Sequence, residues 1–360
     1  MSLSTEQQKK STDPFFSSRT LLEGMISSMR EGVIVVEKNW RIFASNPAAR
    51  VLLGGGEINE RSLREVLDND VVHQVFRKAL DNGQRTETKV EIQRRHDTGV
   101  YDLRVAPLNF AEKKDHKLAI GIFYDITRLE RLEKVRQEFL SNVSHELRTP
   151  LTSILAFVET LEDGALEDVE NNRRFVGVIR RNAERMHHLI DDILELSAIE
   201  AGKVTVRPKL VRLAPLVDEA WSSLAKKAQR RNISFTNQVP AGMNVFADSN
   251  RLEQILVNLL GNALKFNREG GSVSVSYSKT NGFHQIRVAD TGDGIAPEHV
   301  PRIFERFYRT DTARSRELGG TGLGLAIVKH LARLHHGEVR VESAIGKGSI
   351  FTVELADKFE

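Results

Sequence analysis

Four clusters carry residue types whose spacing can do chemistry. The first is Ser144-His145-Glu146-Leu147-Arg148-Thr149-Pro150. Phe139, Val143 and Leu147 share one face of a helix. His145, two residues from both Val143 and Leu147, lies about 200° round from that face, toward solvent. A neutral imidazole held there offers a free ring nitrogen near pH 7 and can act as a nucleophile. Glu146 is adjacent and can accept the proton of the other ring nitrogen. Thr149 is one turn on, where its hydroxyl can orient a water. Pro150 has no N–H for the carbonyl of Glu146, so a bend is expected beside His145. An ordinary surface histidine would look the same in these residues alone.

The second cluster is Asn258, Asn262 and Lys265, four and three residues apart on one helix face. Two amides and an ammonium so aligned can hold Mg²⁺ and phosphate oxygens together. Asn is a mediocre helix former, so two in an apolar stretch need a reason. The third is Asp290-Thr291-Gly292-Asp293-Gly294, directly after a strand-like run. A carboxylate at a strand end, followed by glycines, can accept a hydrogen bond from an exocyclic amine while the backbone stays close to the ligand. The fourth is Gly319-Gly320-Thr321-Gly322-Leu323-Gly324, leading into a helical stretch over 325–334. Glycines before a helix N-terminus supply backbone N–H groups for phosphates. No Lys-Ser/Thr ending follows and no strand immediately precedes, so neither a Walker loop nor a Rossmann fingerprint fits. The polar stretch 310–318 before it reads as a lid over a nucleotide.

These clusters need elements to hold them. Residues 1–16 are polar and read as a disordered tail. Over 17–127, strands at 32–36 and 41–44 form a hairpin, helical stretches follow at 47–53 and 62–82, and strands return at 86–92, 100–107 and 117–124. That order predicts a compact α+β sheet domain. Over 128–204, Leu132, Val135, Phe139, Val143 and Leu147 predict a long amphipathic helix. Val176, Ile179, Ala183, Met186, Ile190, Ile193 and Ser197 form a heptad seam. A turn at 162–172 joins the two as an antiparallel hairpin. Its exposed stripe is best covered by a second copy, giving a four-helix bundle and a homodimer. Residues 205–360 read as α/β, with helices near 213–231 and 250–267 and strands near 272–278, 284–289, 338–343 and 348–355.

Composition limits the function. Lys plus Arg number 52 against 49 Asp plus Glu, and a formal charge of +3 is too thin for a nucleic-acid surface. There are no cysteines, which excludes disulfides, cysteine metal sites, a thiol nucleophile and a cysteine–flavin adduct. His73, His96 and His116 are read as surface histidines rather than haem ligands, so the N-terminal domain is expected to be empty and to serve as a dimer interface. No apolar run reaches membrane length. The expectation is a cytoplasmic protein, with a membrane connection only if the chain is part of an anchored parent.

The order His145-Glu-Leu-Arg-Thr-Pro, Asn258 with Asn262, Asp290-x-Gly-x-Gly294, Phe304-Glu-Arg-Phe307 and Gly320-x-Gly-x-Gly324 resembles the bacterial sensor histidine kinases, across about residues 128–356. It is nearest to the phosphate-regulon type. The N-terminal domain resembles a PAS sensor through Asn46-Pro-Ala48 and Asp125-Ile-Thr127. The resemblance implies a multidomain α+β protein: a PAS-like sensor, a dimeric helical hairpin, and an α/β-sandwich ATP-binding domain. It implies that His145 accepts the phosphoryl group of ATP, Glu146 is its general base, and Thr149 positions water for dephosphorylation of a partner. Asn262 would bind Mg²⁺, with Asn258 and Lys265 on phosphates. Asp290 would read the adenine amine and Arg309 would approach the γ-phosphate. Gly292, Gly294, Gly320, Thr321, Gly322, Leu323 and Gly324 would line the pocket. The implied acceptor is an aspartate on the receiver domain of a separate response regulator. Two rivals remain: a related ATPase, and a scaffold that binds nucleotide without transferring phosphate.

Overall fold

The structure, a computed structural model, describes residues 24–94, 97–108, 117–280, 282–310 and 320–358. The expected tail at 1–16, His96, His116 and all of the expected lid except Thr310 lie outside them. The chain divides into two compact units, with the boundary after Gln137.

The first unit is a five-stranded antiparallel sheet in the order β2-β1-β5-β4-β3. Its strands are β1 Gly32–Glu37, β2 Ile42–Ser45, β3 Thr86–Gln93, β4 Thr98–Leu108 and β5 Leu118–Asp125. Helices α1 Pro47–Leu52, α2 Leu63–Val66 and α3 Asp70–Asn82 lie between β2 and β3 in sequence. The stretch expected as one helix over 62–82 breaks at 67–69 because the Asn69 side chain accepts from the amides of Val71 and Val72 and starts α3 afresh. Asn46, fully buried, caps α1 by accepting from Ala49 N at 2.9 Å. The same oxygen takes Val33 N at 2.9 Å, and the amide donates to the carbonyls of Ile26 and Glu31. Pro47 sits in the first turn of α1, where a missing N–H does no harm. The core joins Ile34, Phe76, Leu103 and Phe123. His73 bonds the Leu67 carbonyl at 2.8 Å and meets Trp40 edge-on, so it ties local structure.

Helix α4, Thr127–Thr160, continues through Pro150. A tight turn holding Gly164 leads to α5, Asn172–Glu200. Phe157 packs on Phe175, and Asn182 donates to Ser153 at 3.2 Å, fixing the antiparallel hairpin.

The rest of the second unit has a five-stranded sheet in the order β11-β12-β10-β9-β7 and a small β6-β8 ribbon. The elements are β6 Lys209–Arg212, α6 Leu213–Ser222, α7 Ala225–Arg230, β7 Ser234–Asn237, β8 Asn244–Ala247, α8 Ser249–Lys265, β9 Ser272–Thr280, β10 Phe283–Asp290, α9 Gly324–Leu334, β11 Val339–Ala344 and β12 Gly348–Ala356. Only β7–β9 is parallel. Helices α6, α8 and α9 share one core with the sheet, the layered arrangement expected. The single helix expected over 213–231 is broken by a tight turn from Leu224 N to the Trp221 carbonyl. That break lets Trp221 lie flat on Phe235 while Ala228 reaches the core. Strands β6, β7 and β8 were not expected; each has four residues, too few for a clear alternation. Leu189, Leu196 and Ile199 of α5 are buried in this same core, so the hairpin and the sheet layer form one body.

Candidate active site

His145 is exposed on α4, opposite the face of Phe139 and Leu147, which pack against the core. The Thr149 hydroxyl donates to the His145 carbonyl at 3.2 Å, one turn back. Glu146 is half-buried and is turned away from a simple pairing with His145. Its Oε2 accepts from Arg185 of α5 at 3.1 Å and from Arg309 at 3.0 Å. Arg309 is only 7% exposed and also donates to the Gly320 carbonyl. Charge-assisted bonds of this kind are short and directional, so Glu146 is held firmly.

Lys265 closes α8 beside these arginines, 4.7 Å from the Phe266 ring centroid. Burial, helped by the nearby Arg309 and Arg185 guanidiniums, lowers its pKa to about 8. Its ammonium lies directly against the bare Cα of Gly320.

Asp290 ends β10. Its Oδ1 accepts from Gly292 N at 2.8 Å and Ser349 N at 3.3 Å, while no described residue bonds Oδ2. Burial pushes its carboxyl above the usual range, against the pull of those two amides. The fixed carboxylate edge suits recognition of an amine. Gly294 has φ +75° and lies so close to the Ala344 carbonyl that a side chain there would collide.

Asn258 donates to the Gln254 carbonyl at 3.1 Å and turns its oxygen toward Gly324 at the start of α9. Asn262, one turn on, is half-buried and its carboxamide bonds no described residue. A free oxygen donor of that kind fits Mg²⁺, which takes few protein ligands and keeps phosphates and waters. Among the described residues no cluster of three or more His, Asp or Glu could hold a metal instead.

Gly322 has φ +76° and faces the backbone of Phe307, whose amide donates to its carbonyl at 2.9 Å. Phe307 and Arg309 are therefore held beside the turn before α9. Thr321 donates to Asp192 of α5 at 2.8 Å and so faces the hairpin. Leu323, expected at the pocket, has its side chain fully buried in the core, because it is the first apolar anchor of α9. Only its backbone can face a ligand. The structure thus gathers Glu146, Lys265, Arg309 and Gly320, and separately Asn258 with Gly324 and Asp290 with Gly292.

Several residues at this junction were not expected from the sequence. Arg185 holds Glu146, Asp192 holds Thr321, and Glu195 takes both Arg251 and Gln254. Glu200 takes Arg306, and Phe139 packs on Phe307 at 5.7 Å. A signal was present. Arg185, Leu189, Asp192, Leu196 and Ile199 step by four and three along α5, a second seam beside the first. Its alternation of charged and apolar residues hid it.

Comparison with known proteins gives the family. A model of the histidine kinase-, DNA gyrase B- and HSP90-like ATPase matches residues 247–358. The His Kinase A (phospho-acceptor) domain matches 135–202, and a PAS domain matches 30–128. The sensor histidine kinase WalK of Bacillus subtilis is 33% identical over 353 residues, covering 95% of this chain and 56% of that protein. The sensor-like histidine kinase SenX3 of Mycobacterium bovis is 34% identical over 336 residues, covering 93% of this chain and 80% of that protein. This chain therefore spans little more than half of the first relative's length. Among solved structures, the Acinetobacter baumannii histidine kinase AdeS superposes with a TM-score of 0.51 at 24% identity, over 60% of this chain and 98% of that one. The histidine kinase ThkA, solved in complex with the response regulator protein TrrA, also gives 0.51, at 23% identity over 93% and 98%. Those two likenesses speak for the fold. With three domain matches in order and a relative covered over four-fifths of its length, the chain belongs to the sensor histidine kinases.

Proposed function

We propose that the protein transfers the γ-phosphoryl group of ATP to His145 and passes it to an aspartate of a separate response regulator. A ring nitrogen of His145 attacks the γ-phosphorus. The P–N bond forms as the bond to the bridging oxygen breaks, and ADP leaves with that electron pair. The proton on the other ring nitrogen goes to Glu146. The aspartate oxygen of the regulator then attacks phosphorus, the P–N bond breaks, and the imidazole regains a proton. Positioning and charge neutralisation supply most of the rate in such transfers. Mg²⁺, held by Asn262 and the phosphates, would neutralise charge on the triphosphate.

The observation that carries this reading is the cluster of basic side chains beside His145. Arg185 and Arg309 both donate to Glu146, and Lys265 lies close enough to the two guanidiniums that they help burial lower its pKa to about 8. A triphosphate brings negative charge to that cluster. By competing for Arg309 it also releases Glu146 to act as base. Asp290 reads the adenine amine, and Asn258 with Lys265 lies along the phosphates. Thr149 sits one turn from His145 for water-mediated dephosphorylation of the regulator. The PAS-like domain acts on His145 through α4, the helix that continues from its last strand.

We infer further that two copies pair through the hairpin. Leu140, Leu151, Leu155, Val176, Ile190 and Leu194 are all exposed along α4 and α5 in one chain. A stripe of that size needs cover.

The decisive experiment uses ATP labelled in its γ-phosphate. The protein should acquire a label that acid removes and base does not. His145→Gln should abolish it while leaving nucleotide binding intact. Hydrolysis of ATP with no label on protein would favour the rival ATPase, and nucleotide binding with neither would favour the scaffold.

A further inference from the structure

The first unit holds a cleft of about 1080 Å³ between its sheet and the helices α1 and α2. Leu52, Leu67, Ile92 and Phe123 give it an apolar wall. Such a volume is the size of a small-molecule site.

One edge of the cleft is polar and adjoins the start of α4. Arg94 and Asp125 both line it. Arg94 Nη2 donates to Asp125 Oδ2 at 2.5 Å. Asp125 Oδ1 accepts from the amide of Thr127, the first residue of α4, at 3.0 Å. The Thr127 hydroxyl in turn accepts from Val100 N at 2.9 Å. The head of α4 is therefore tied to the cleft through two ion pairs, Arg94 with Asp125 and Arg131 with Asp97.

Arg94 Nε is buried and has no hydrogen-bond partner, the sole such side-chain atom among the described residues. A buried N–H without an acceptor costs about 1–3 kcal/mol. The guanidinium is itself a third exposed; it packs against the bare Cα of Gly99 and lies over the Tyr101 ring, 5.1 Å from its centroid. The acids of this edge are already engaged: Asp125 by Arg94, and Asp97 by Arg131 at 3.2 Å. An ammonium head would find both taken. A carboxylate finds a donor lacking an acceptor.

We propose that this cleft binds a small carboxylate with an apolar body, whose head group draws Arg94 away from Asp125 and so loosens the first turn of α4. The carboxylate takes Nε and Nη2 together, the bidentate edge of a guanidinium. Asp125 then keeps only its bond to Thr127.

The test uses the full chain and three probes with one apolar body: 4-phenylbutyrate, 4-phenylbutanol and 4-phenylbutylammonium. Titration calorimetry should find one butyrate site per chain, at least about tenfold tighter than either other probe. Arg94→Gln should weaken butyrate to the level of the alcohol and leave the alcohol unchanged. Leu67→Trp, which fills the cleft, should remove all three. Amide exchange at Thr127 should quicken several-fold when butyrate is added, and not with the alcohol. Equal binding of the three probes, butyrate binding untouched by Arg94→Gln, or no heat with any probe at about 10 mM overturns the proposal. No readout involves phosphate, so its failure is separate from failure of the kinase reading.

Discussion

Two polar groups, fully buried Asn46 in the first unit and half-buried Glu146 in the second, are resolved in opposite ways. Asn46 in the first unit uses its oxygen for Val33 and Ala49 and its amide for the carbonyls of Ile26 and Glu31. Nothing is left over, and the residue ties the chain before β1 to the turn after β2. Glu146 in the second unit sits among Arg185, Arg309 and Lys265, and burial beside the two guanidiniums already lowers the Lys265 pKa to about 8. A closed set of bonds stabilises a fold. An open set waits for a ligand. The same distinction separates Arg94, with one unmatched N–H, from the satisfied residues around it.

Breaking the closed set should have the largest effect. Asn46→Ala strands at least two backbone amides and two carbonyls in a buried place. At 1–3 kcal/mol for each group that finds no water, a loss of about 3 kcal/mol is expected. Urea unfolding followed by a probe in the first unit measures it. Nucleotide affinity at the second unit should stay unchanged. If Asn46→Ala instead weakens nucleotide binding and spares stability, the contrast is wrong.

Changing the open set should do the reverse. Lys265→Met removes a charge that burial already disfavours. Its folded pKa, about 8, is lower than the unfolded value, so the unfolded chain binds more protons between about pH 8 and 10.5. Wild-type stability therefore rises through that window, and the penalty is fully present below it. Lys265→Met should melt higher than wild type at pH 7, with the gap closing by about pH 10. It should also bind ATP about tenfold more weakly at pH 7, near 1.4 kcal/mol. In wild type, ATP affinity should fall as pH passes 8. Thermal melts and nucleotide titrations at pH 7, 8.5 and 10 check both signs.

Much of this was legible in residues. The apolar periods of α4, α5 and α8 drew the helices, and Asn46-Pro47 marked the start of α1. His145, Asn262 and Asp290 stood out because a polar residue at a fixed place in a periodic element needs a reason. What was not legible was set by distant partners. Glu146 reads as a partner for its neighbour His145, yet two arginines, 39 and 163 positions away, take it. Leu323 reads as part of a glycine loop, yet the core claims its side chain. Strands β6 to β8 take their shape from pairing, with too little alternation to announce themselves. The second seam on α5 mixed Arg185 and Asp192 with leucines, so no hydrophobic period marked it.

That second seam gives the smallest and most local test. Thr321→Val keeps the shape of the side chain and removes the donor to Asp192. Asp192 is mostly buried, and burial already holds its carboxyl above the usual range, with the Thr321 hydroxyl pulling the other way. Losing that bond should raise it further. A carboxylate with a raised folded pKa weakens the fold as pH climbs past its unfolded value, since the native state then binds the extra proton. The variant should therefore be less stable than wild type by about 1 kcal/mol at pH 7, a single hydrogen bond to a charged group. The difference should shrink as pH falls toward 4. Asp192→Asn, which keeps an acceptor for Thr321 without the charge, should be nearly flat over the same range. If Thr321→Val and wild type run parallel from pH 4 to 7, Asp192 is not ionised against Thr321, and the seam holds the sheet layer through Leu189, Leu196 and Ile199 alone.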